Sequence, residues 1–417
     1  MYLKGSKWNM NKRTRRRSSP FRIMVLLILI AGAIYLDRVI IPQTPVLFVP
    51  TPTPTRAPES YVNEAQEYLQ QGKMLPAIEA YKKAVLTEPD NQTIFIDLAR
   101  AQIWAGNYED ALQSAERSLV GNENYAMGHA VRGWALNFLE QYVDAELALR
   151  RALEIDTNNP LAHAYLAETL INKDDYGDMD RAIAESNLAM DLAPNMLETL
   201  RARGYVLYIT GNYEESIDHY QRAIALNRYI PDLFLYQGYN YASLMETNPE
   251  YIDLAIDAYL QANSLNPANS LPDLELSRLF LRLGEYEKAI QYAENAVKDE
   301  PQNAYRYGNL GIMYYEADKF DAAVDALRIA IRGGTSEDGL VIDGIQMDYI
   351  SARYFEYYGF ALAKIVPNQC SEAVPVFQAI ISGMPDFETA VYNATEGLNL
   401  CAAAPEAEEV SSEGTGE

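Results

Sequence analysis

The residues able to do chemistry in this 417-residue chain are few and scattered. Two cysteines, Cys370 and Cys401, exclude a disulfide-dense or Cys-rich metal scaffold. Three histidines, His129, His163 and His219, leave little room for a His-based metal cluster. There is no phosphate loop, no dinucleotide glycine fingerprint, no HExxH, no GxSxG and no CxxC. The 58 carboxylates sit at the spacing of solvated helix faces, so no pair among them stands out as general acid and base. The expectation is a chain without catalytic residue, cofactor or metal, and no small-molecule substrate is evident. What remains is the chemistry of recognition, carried by 31 Tyr against 11 Phe and by charge.

The net charge of −24 is a sum over unlike parts. Residues 1–22 hold eight basic side chains and no acid, which leaves 26 basic against 58 acidic residues in the rest, or −32. With 49% hydrophobic and 22% charged residues, wholesale disorder is excluded. The basic arm, 1–22, runs into an apolar segment, 23–41, whose stretch Ile23–Leu36 is uninterrupted. Phe21 to Ile41 as one helix would be about 31 Å long, close to the thickness of a bilayer core. A cleaved signal peptide competes, because Ala31-Gly32-Ala33 is a small-x-small site, but the segment stays apolar through Leu36. The reading adopted is an uncleaved signal-anchor. Positive charge then keeps the N-terminus in the cytoplasm and places the body outside it, on a single-pass protein of a bacterial-type cell membrane. Residues 42–58 contain six prolines and form a semi-rigid polyproline II spacer about 50 Å long.

The body, 59–401, is periodic. A small residue recurs at Ala77, Ala111, Ala145, Ala182, Ser216, Ala255, Ala289, Ala323 and Ala373, with five of the eight intervals equal to 34. A second small residue precedes each by about twelve positions, from Ala65 and Ala99 to Gly311 and Gly359. Between them lies a Gly followed two residues later by an aromatic, as in Gly106-Asn107-Tyr108 and Gly211-Asn212-Tyr213. Apolar residues recur at i, i+3, i+4 and i+7, the helical period.

These residues resemble the tetratricopeptide repeat, a 34-residue helix–turn–helix unit. The first unit carries Tyr61, Ala65, Tyr68, Gly72, Ala77, Tyr81, Ala84 and Pro89, and the sixth carries Phe234, Gly238, Tyr241, Ala255, Tyr259, Ala262 and Pro267. The resemblance covers about 340 residues, and bacterial membrane-anchored, exported members of the family are the nearest in layout. It implies an all-α, right-handed solenoid of about nine repeats, closed by a capping helix over 386–401 and followed by an acidic, disordered tail, 402–417. Thr157 and Arg228 stand where the pattern has Pro, so those two junctions are expected to turn less sharply. An insertion over 335–350 is apolar enough to pack locally instead of remaining in free solvent. His129 and His163 replace aromatics in the packing, on stacked helices about 10 Å apart, too far to share one metal.

The resemblance also implies a ligand wall on the first helix of each repeat, at its second, fifth, ninth, twelfth and thirteenth positions. Carried over, the wall holds the cations Arg100, Arg278 and Arg282. Its aromatics are Trp104, Trp134, Phe138, Tyr205, Tyr208, Tyr239, Tyr315 and Phe360. Trp, Tyr and Arg are the residue types of binding hot spots. The competing reading is that the next superhelical turn or an inserted loop covers them. Cys370 falls in the turn of the ninth repeat and Cys401 ends the capping helix. Repeat geometry puts them at one edge, where they form either a disulfide clamp or two independent buried thiols. The functional expectation is a membrane-anchored, non-catalytic scaffold for a protein or peptide partner. The acidic body points to a basic partner and away from nucleic acid. An accessory factor of an envelope or transport complex is the alternative.

Overall fold

The computed structural model describes residues 19–40, 56–336 and 338–403, and the chain divides into two units, Met1–Arg56 and Ala57–Glu417. In the first unit, helix α1 (Pro20–Tyr35) opens on a proline, whose fixed φ suits a first helical turn. It continues into a wider π-helical turn, Leu36–Ile40, that holds Asp37 and Arg38. Pro20–Arg38 is 19 residues long, and by length and composition it is apolar enough to cross a membrane. The expected arm up to Ser18, the last residue of the apolar segment, Ile41, the spacer from Pro42 to Thr55 and the tail from Ala404 lie outside the described residues.

The second unit is a row of antiparallel helix pairs. They are α2 (Pro58–Gln70) with α3 (Met74–Thr87), α4 (Gln92–Trp104) with α5 (Tyr108–Ser118), and α6 (Ala126–Phe138) with α7 (Tyr142–Ile155). Next come α8 (Pro160–Lys173) with α9 (Asp178–Leu192), α10 (Leu197–Ile209) with α11 (Tyr213–Leu226), and α12 (Pro231–Leu244) with α13 (Glu250–Leu265). The last three pairs are α14 (Leu271–Arg282) with α15 (Tyr286–Asp299), α16 (Ala304–Glu316) with α17 (Phe320–Arg332), and α18 (Ala352–Lys364) with α19 (Cys370–Gly383). A single helix, α20 (Glu388–Ala403), packs on α18 and α19 and closes the row. The fold is an α-solenoid of nine pairs and a cap.

Small residues on the first helix of a pair let an aromatic or Leu from the second reach the contact. A Cβ added at Gly238 would stand 2.5 Å from the Tyr259 ring, and one at Gly204 2.8 Å from the Tyr220 ring. Tyr220 and Tyr259 are fully buried in this role, which accounts for part of the tyrosine excess.

One expectation about connections needs correction. The junctions holding Thr157 and Arg228 are as short as those holding Pro89 and Pro301, with four residues between helices in each case. At the first, the Asn159 side chain accepts from Ala162 N at 3.1 Å and Pro160 opens the next helix; Asn91 and Asn303 cap the helices after Pro89 and Pro301 in the same way. The insertion is ordered. Strands β1 (Gly334–Thr335) and β2 (Val341–Ile342) pair antiparallel, Ile342 and Ile345 are buried, and Ile345 N donates to Ala330 O at 2.8 Å. Its tip lies beside Asp299–Asn303 and the end of α15, away from the wall positions of α16. Cys370 and Cys401 are joined by a disulfide, with their Cα atoms 5.5 Å apart, which ties the cap to the start of α19.

Asp273 sits in the first turn of α14 and is 2% exposed. Its carboxylate accepts from Asn263 Nδ2 at 2.9 Å and faces Asp299 at the end of α15. Burial first, and the Asp299 carboxylate second, push it up to about 6. The folded state therefore binds a proton more readily than the unfolded chain, and this site loses stability as pH rises through 6. Asp273→Asn is expected to stabilise α13–α15 at pH 7 and to flatten the pH dependence between 5 and 7. Thermal melts of both proteins across that range check it, and a variant that melts lower at pH 7 refutes it.

The inner wall of the repeat array

The array curls until its first repeat meets its fifth and sixth. A Cβ placed on Gly72, in the turn between α2 and α3, would stand 2.3 Å from the Tyr229 ring in the α11–α12 junction. Met74 and Trp104 join one apolar cluster with Leu197, Leu200, Tyr220 and Tyr236. Beside this seam lies a cleft of about 420 Å³ between Met74–Pro76, Trp104, Tyr229 and Leu265–Pro267.

Across the lumen enclosed by this curl, wall residues of different repeats bond to one another. Arg100 on α4 forms an ion pair with the buried Glu198 on α10, 98 residues later. Arg201, one turn further along α10, is itself buried. Its guanidinium pairs with Glu168 on α8 and, through Nε at 2.6 Å, with Asp232 on α12. The same group lies over the rings of Trp104 at 5.8 Å and Phe138 at 5.4 Å. Burial pushes the Glu168 carboxyl up, against the lowering pull of Arg201. Trp134 is 0% exposed, stacked on Tyr165 at 4.3 Å and edge-on to Trp104 at 4.7 Å. A partner cannot reach Trp134, so the expectation that it lies on an accessible wall is corrected: the superhelical curl covers it. Phe138 stacks on Tyr108 at 4.7 Å in the same interior.

A second group of wall residues is half-buried. Tyr205 donates to Asn172 Oδ1 at 2.5 Å and meets Tyr236 edge-on at 5.2 Å. Tyr208 stacks near Tyr239 at 5.8 Å, and Tyr239 in turn meets Tyr259. In the third group, on α14, α16 and α18, Arg282 is exposed and Arg278, Tyr315 and Phe360 are half-buried. Arg278 pairs with Glu275 at 2.7 Å and Arg282 with Glu246 at 2.8 Å, both partly exposed. Tyr315 meets Tyr357 edge-on at 4.9 Å, and Phe360 meets Phe377 at 5.2 Å.

The sequence-chosen residues thus divide between a filled lumen and an open wall. Glu198, Arg201 and Asp232 were missed, although the same positional rule reaches them at the second and fifth positions of their helices. His163 does bridge its repeat, with Nδ1 at 2.5 Å from Glu185 and Nε2 at 3.0 Å from Thr157 O.

The tetratricopeptide repeat family matches residues 68–127, 197–229 and 274–338. The chain is a tetratricopeptide repeat protein. It is 23% identical over 345 residues to the Arabidopsis thaliana protein CTR9 homolog, covering 73% of this chain and 31% of that protein. It is 28% identical over 155 residues to small glutamine-rich tetratricopeptide repeat-containing protein 2 of Saccharomyces cerevisiae, covering 36% and 43%. The chain spans between about a third and just over half the length of these relatives and the Schizosaccharomyces pombe DnaJ homolog subfamily C member 7 homolog. Among solved structures, human IFIT1 bound to m7Gppp-AAAA superposes with a TM-score of 0.57 at 16% identity, covering 83% of this chain and 82% of that one. The APC/C hetero-tetramer Cut9–Hcn1 gives a TM-score of 0.55 at 14% identity, covering 90% and 82%. At these identities the structures establish the repeat fold alone. In this tetratricopeptide repeat protein the ligand positions of repeats two to six are largely occupied by one another; in repeats seven to nine neighbouring wall residues also touch, but Arg278, Arg282, Tyr315 and Phe360 keep accessible surface.

Proposed function

We propose that the protein is a scaffold that holds a protein or peptide partner on the open inner wall of α14, α16 and α18. The observation that carries this is the contrast along the wall. Arg278, Arg282, Tyr315 and Phe360 keep accessible surface, whereas Trp134 and Arg201 are buried inside the lumen. Aromatic and Arg side chains on a rigid concave face lose little freedom on binding and supply anchor contacts. The family membership supports a protein partner as the ligand class. Pro20–Arg38 tethers the scaffold to a membrane, and the seven basic residues before it keep that end in the cytoplasm, with the repeats outside.

Site-specific photo-crosslinking in intact membranes tests both parts. Photoreactive residues at Tyr315 and Arg278 should capture a defined partner that a Phe360→Ala/Tyr315→Ala variant loses while keeping its helical signal. A probe at Trp134 should capture none. Protease added to intact cells should digest the repeats and leave the arm. Equal capture at Trp134 would sink the wall assignment, and repeats protected until lysis would sink the topology.

A further inference from the structure

On α18 the residues at 353, 357, 360 and 364 follow the i, i+4, i+7, i+11 spacing that lines one helix face. They read Arg353, Tyr357, Phe360, Lys364: a cation at each end and two rings between. Both cations are exposed, and neither has a carboxylate within ion-pair distance among the described residues. Arg353 lies over the Tyr354 ring at 4.9 Å and donates to its hydroxyl at 3.0 Å. Lys364 Nζ lies 4.5 Å from the Tyr315 ring and 5.1 Å from the Phe320 ring. The nearby acids are largely engaged elsewhere. Glu316 accepts from the Tyr357 hydroxyl at 2.6 Å, Glu275 is taken by Arg278, and Glu356 is buried against Asn393. Asp318 and Asp321 share a cleft at the turn edge with Lys319 and Lys364. Other cations of the body, Lys83, Arg117 and Lys298 among them, also make no ion pair among the described residues, but Arg353 and Lys364 share one face of a first helix with two rings between them.

We infer that the α18 stripe is the specificity element of the open wall and that it selects an extended acidic segment of a partner protein, with an apolar residue between two carboxylates. This rests on the scaffold reading and names the partner's chemistry. It reverses the basic partner expected from net charge, because the wall's own charges, not the average, face the ligand. Eleven residues of helix separate Arg353 from Lys364 by about 16 Å. An extended strand advances about 3.3 Å per residue and alternates its side chains between two faces, so carboxylates that both face the wall stand four residues apart, about 13 Å, within reach of the long Arg353 and Lys364 side chains. The apolar residue between them meets Tyr357 and Phe360. Since both cations are side-chain partners, no free C-terminal carboxylate is required.

The test is fluorescence anisotropy with the full-length protein in detergent micelles. The probe is an acetylated, C-terminally amidated peptide with two Glu four residues apart and Leu midway between them, all on one face of the extended chain. It should bind at low ionic strength and weaken as salt rises. Its Lys counterpart should bind at least tenfold more weakly. Arg353→Glu/Lys364→Glu should abolish acidic-peptide binding, gain Lys-peptide binding, and melt as the parent does, since both side chains are exposed. Moving the two Glu to a spacing of two should cost about tenfold. Equal or tighter binding of the Lys peptide to the parent protein would overturn the inference, as would acidic binding that ignores the charge swap. Binding seen only after removal of residues 404–417, which hold Glu406, Glu408, Glu409, Glu413 and Glu417, would assign the stripe to the chain's own C-terminus and overturn the partner assignment. If photo-crosslinks form at Tyr315 while the acidic peptide fails, the scaffold stands and this inference falls alone.

Discussion

Arg201→Ala is expected to lower the stability of the N-terminal repeats by about 3–5 kcal/mol, the usual cost of leaving one member of a buried ion pair without its partner. Arg201 and Glu168 are 4% and 2% exposed, so water cannot replace the lost cation. Asp232 would also lose its partner, and the rings of Trp104 and Phe138 would lose the guanidinium above them. The sign with pH is fixed. Without Arg201, burial alone acts on Glu168, and its folded pKa rises further above the unfolded value. The loss should then be largest at pH 7 and smaller at pH 5, where a protonated Glu168 needs no cation. Repeat arrays unfold in parts, so the readout is hydrogen exchange resolved by helix, with the effect centred on α8, α10 and α12. Arg201→Met with Glu168→Leu should recover part of the loss, because two apolar groups leave no orphan charge. Uniform protection across the array, or a deficit that grows as pH falls, would refute the hub.

Gly72→Ala should open the seam between the first repeat and the fifth and sixth. Two costs overlap at this position, and a control separates them. Gly72 and Gly106 both hold a left-handed backbone, with φ of +74° and +80°, so alanine strains each to a similar degree. Around Gly106 a Cβ meets nothing within 4 Å, whereas at Gly72 it meets the Tyr229 ring at 2.3 Å. The excess loss in Gly72→Ala over Gly106→Ala is therefore the seam clash, about 1–3 kcal/mol as for other overpacked contacts. Small-angle scattering should show a larger radius of gyration for Gly72→Ala only. Tyr229→Ala in the same chain should remove the excess. Equal behaviour of the two glycine variants would show that the first repeat does not depend on this contact.

The two predictions mark where the chain stops being a string of independent pairs. In a solenoid each unit touches its neighbours, so the 34-residue period and the small residues at Gly204 or Gly238 suffice to place each helix against the next. The Ala, Gly and Tyr positions of the pairs, the nine-pair architecture and the capping helix were all readable for that reason. They depend on contacts between residues within about 40 positions of each other. The Thr157 junction was less readable, because the repeat pattern places Pro at 157, whereas the Asn159 cap and Pro160 set the next helix start there.

The inner wall was readable in composition but not in state. Its residue types mark Trp134 and Arg278 alike, and nothing local separates a residue that faces solvent from one that faces the opposite repeat. That difference comes from small rotations at each helix–helix contact, summed over several repeats. Their total brings Arg100 to Glu198 across 98 residues and Gly72 under Tyr229. A change of a few degrees per repeat would leave the lumen open, and no single residue sets that angle. The sequence by itself therefore determined the repeat, the helix pairs, the apolar segment before them and the set of wall positions. Only the tertiary structure decided which wall positions are spent on one another and which stay open, because curvature accumulates along the array while sequence patterns report only local packing.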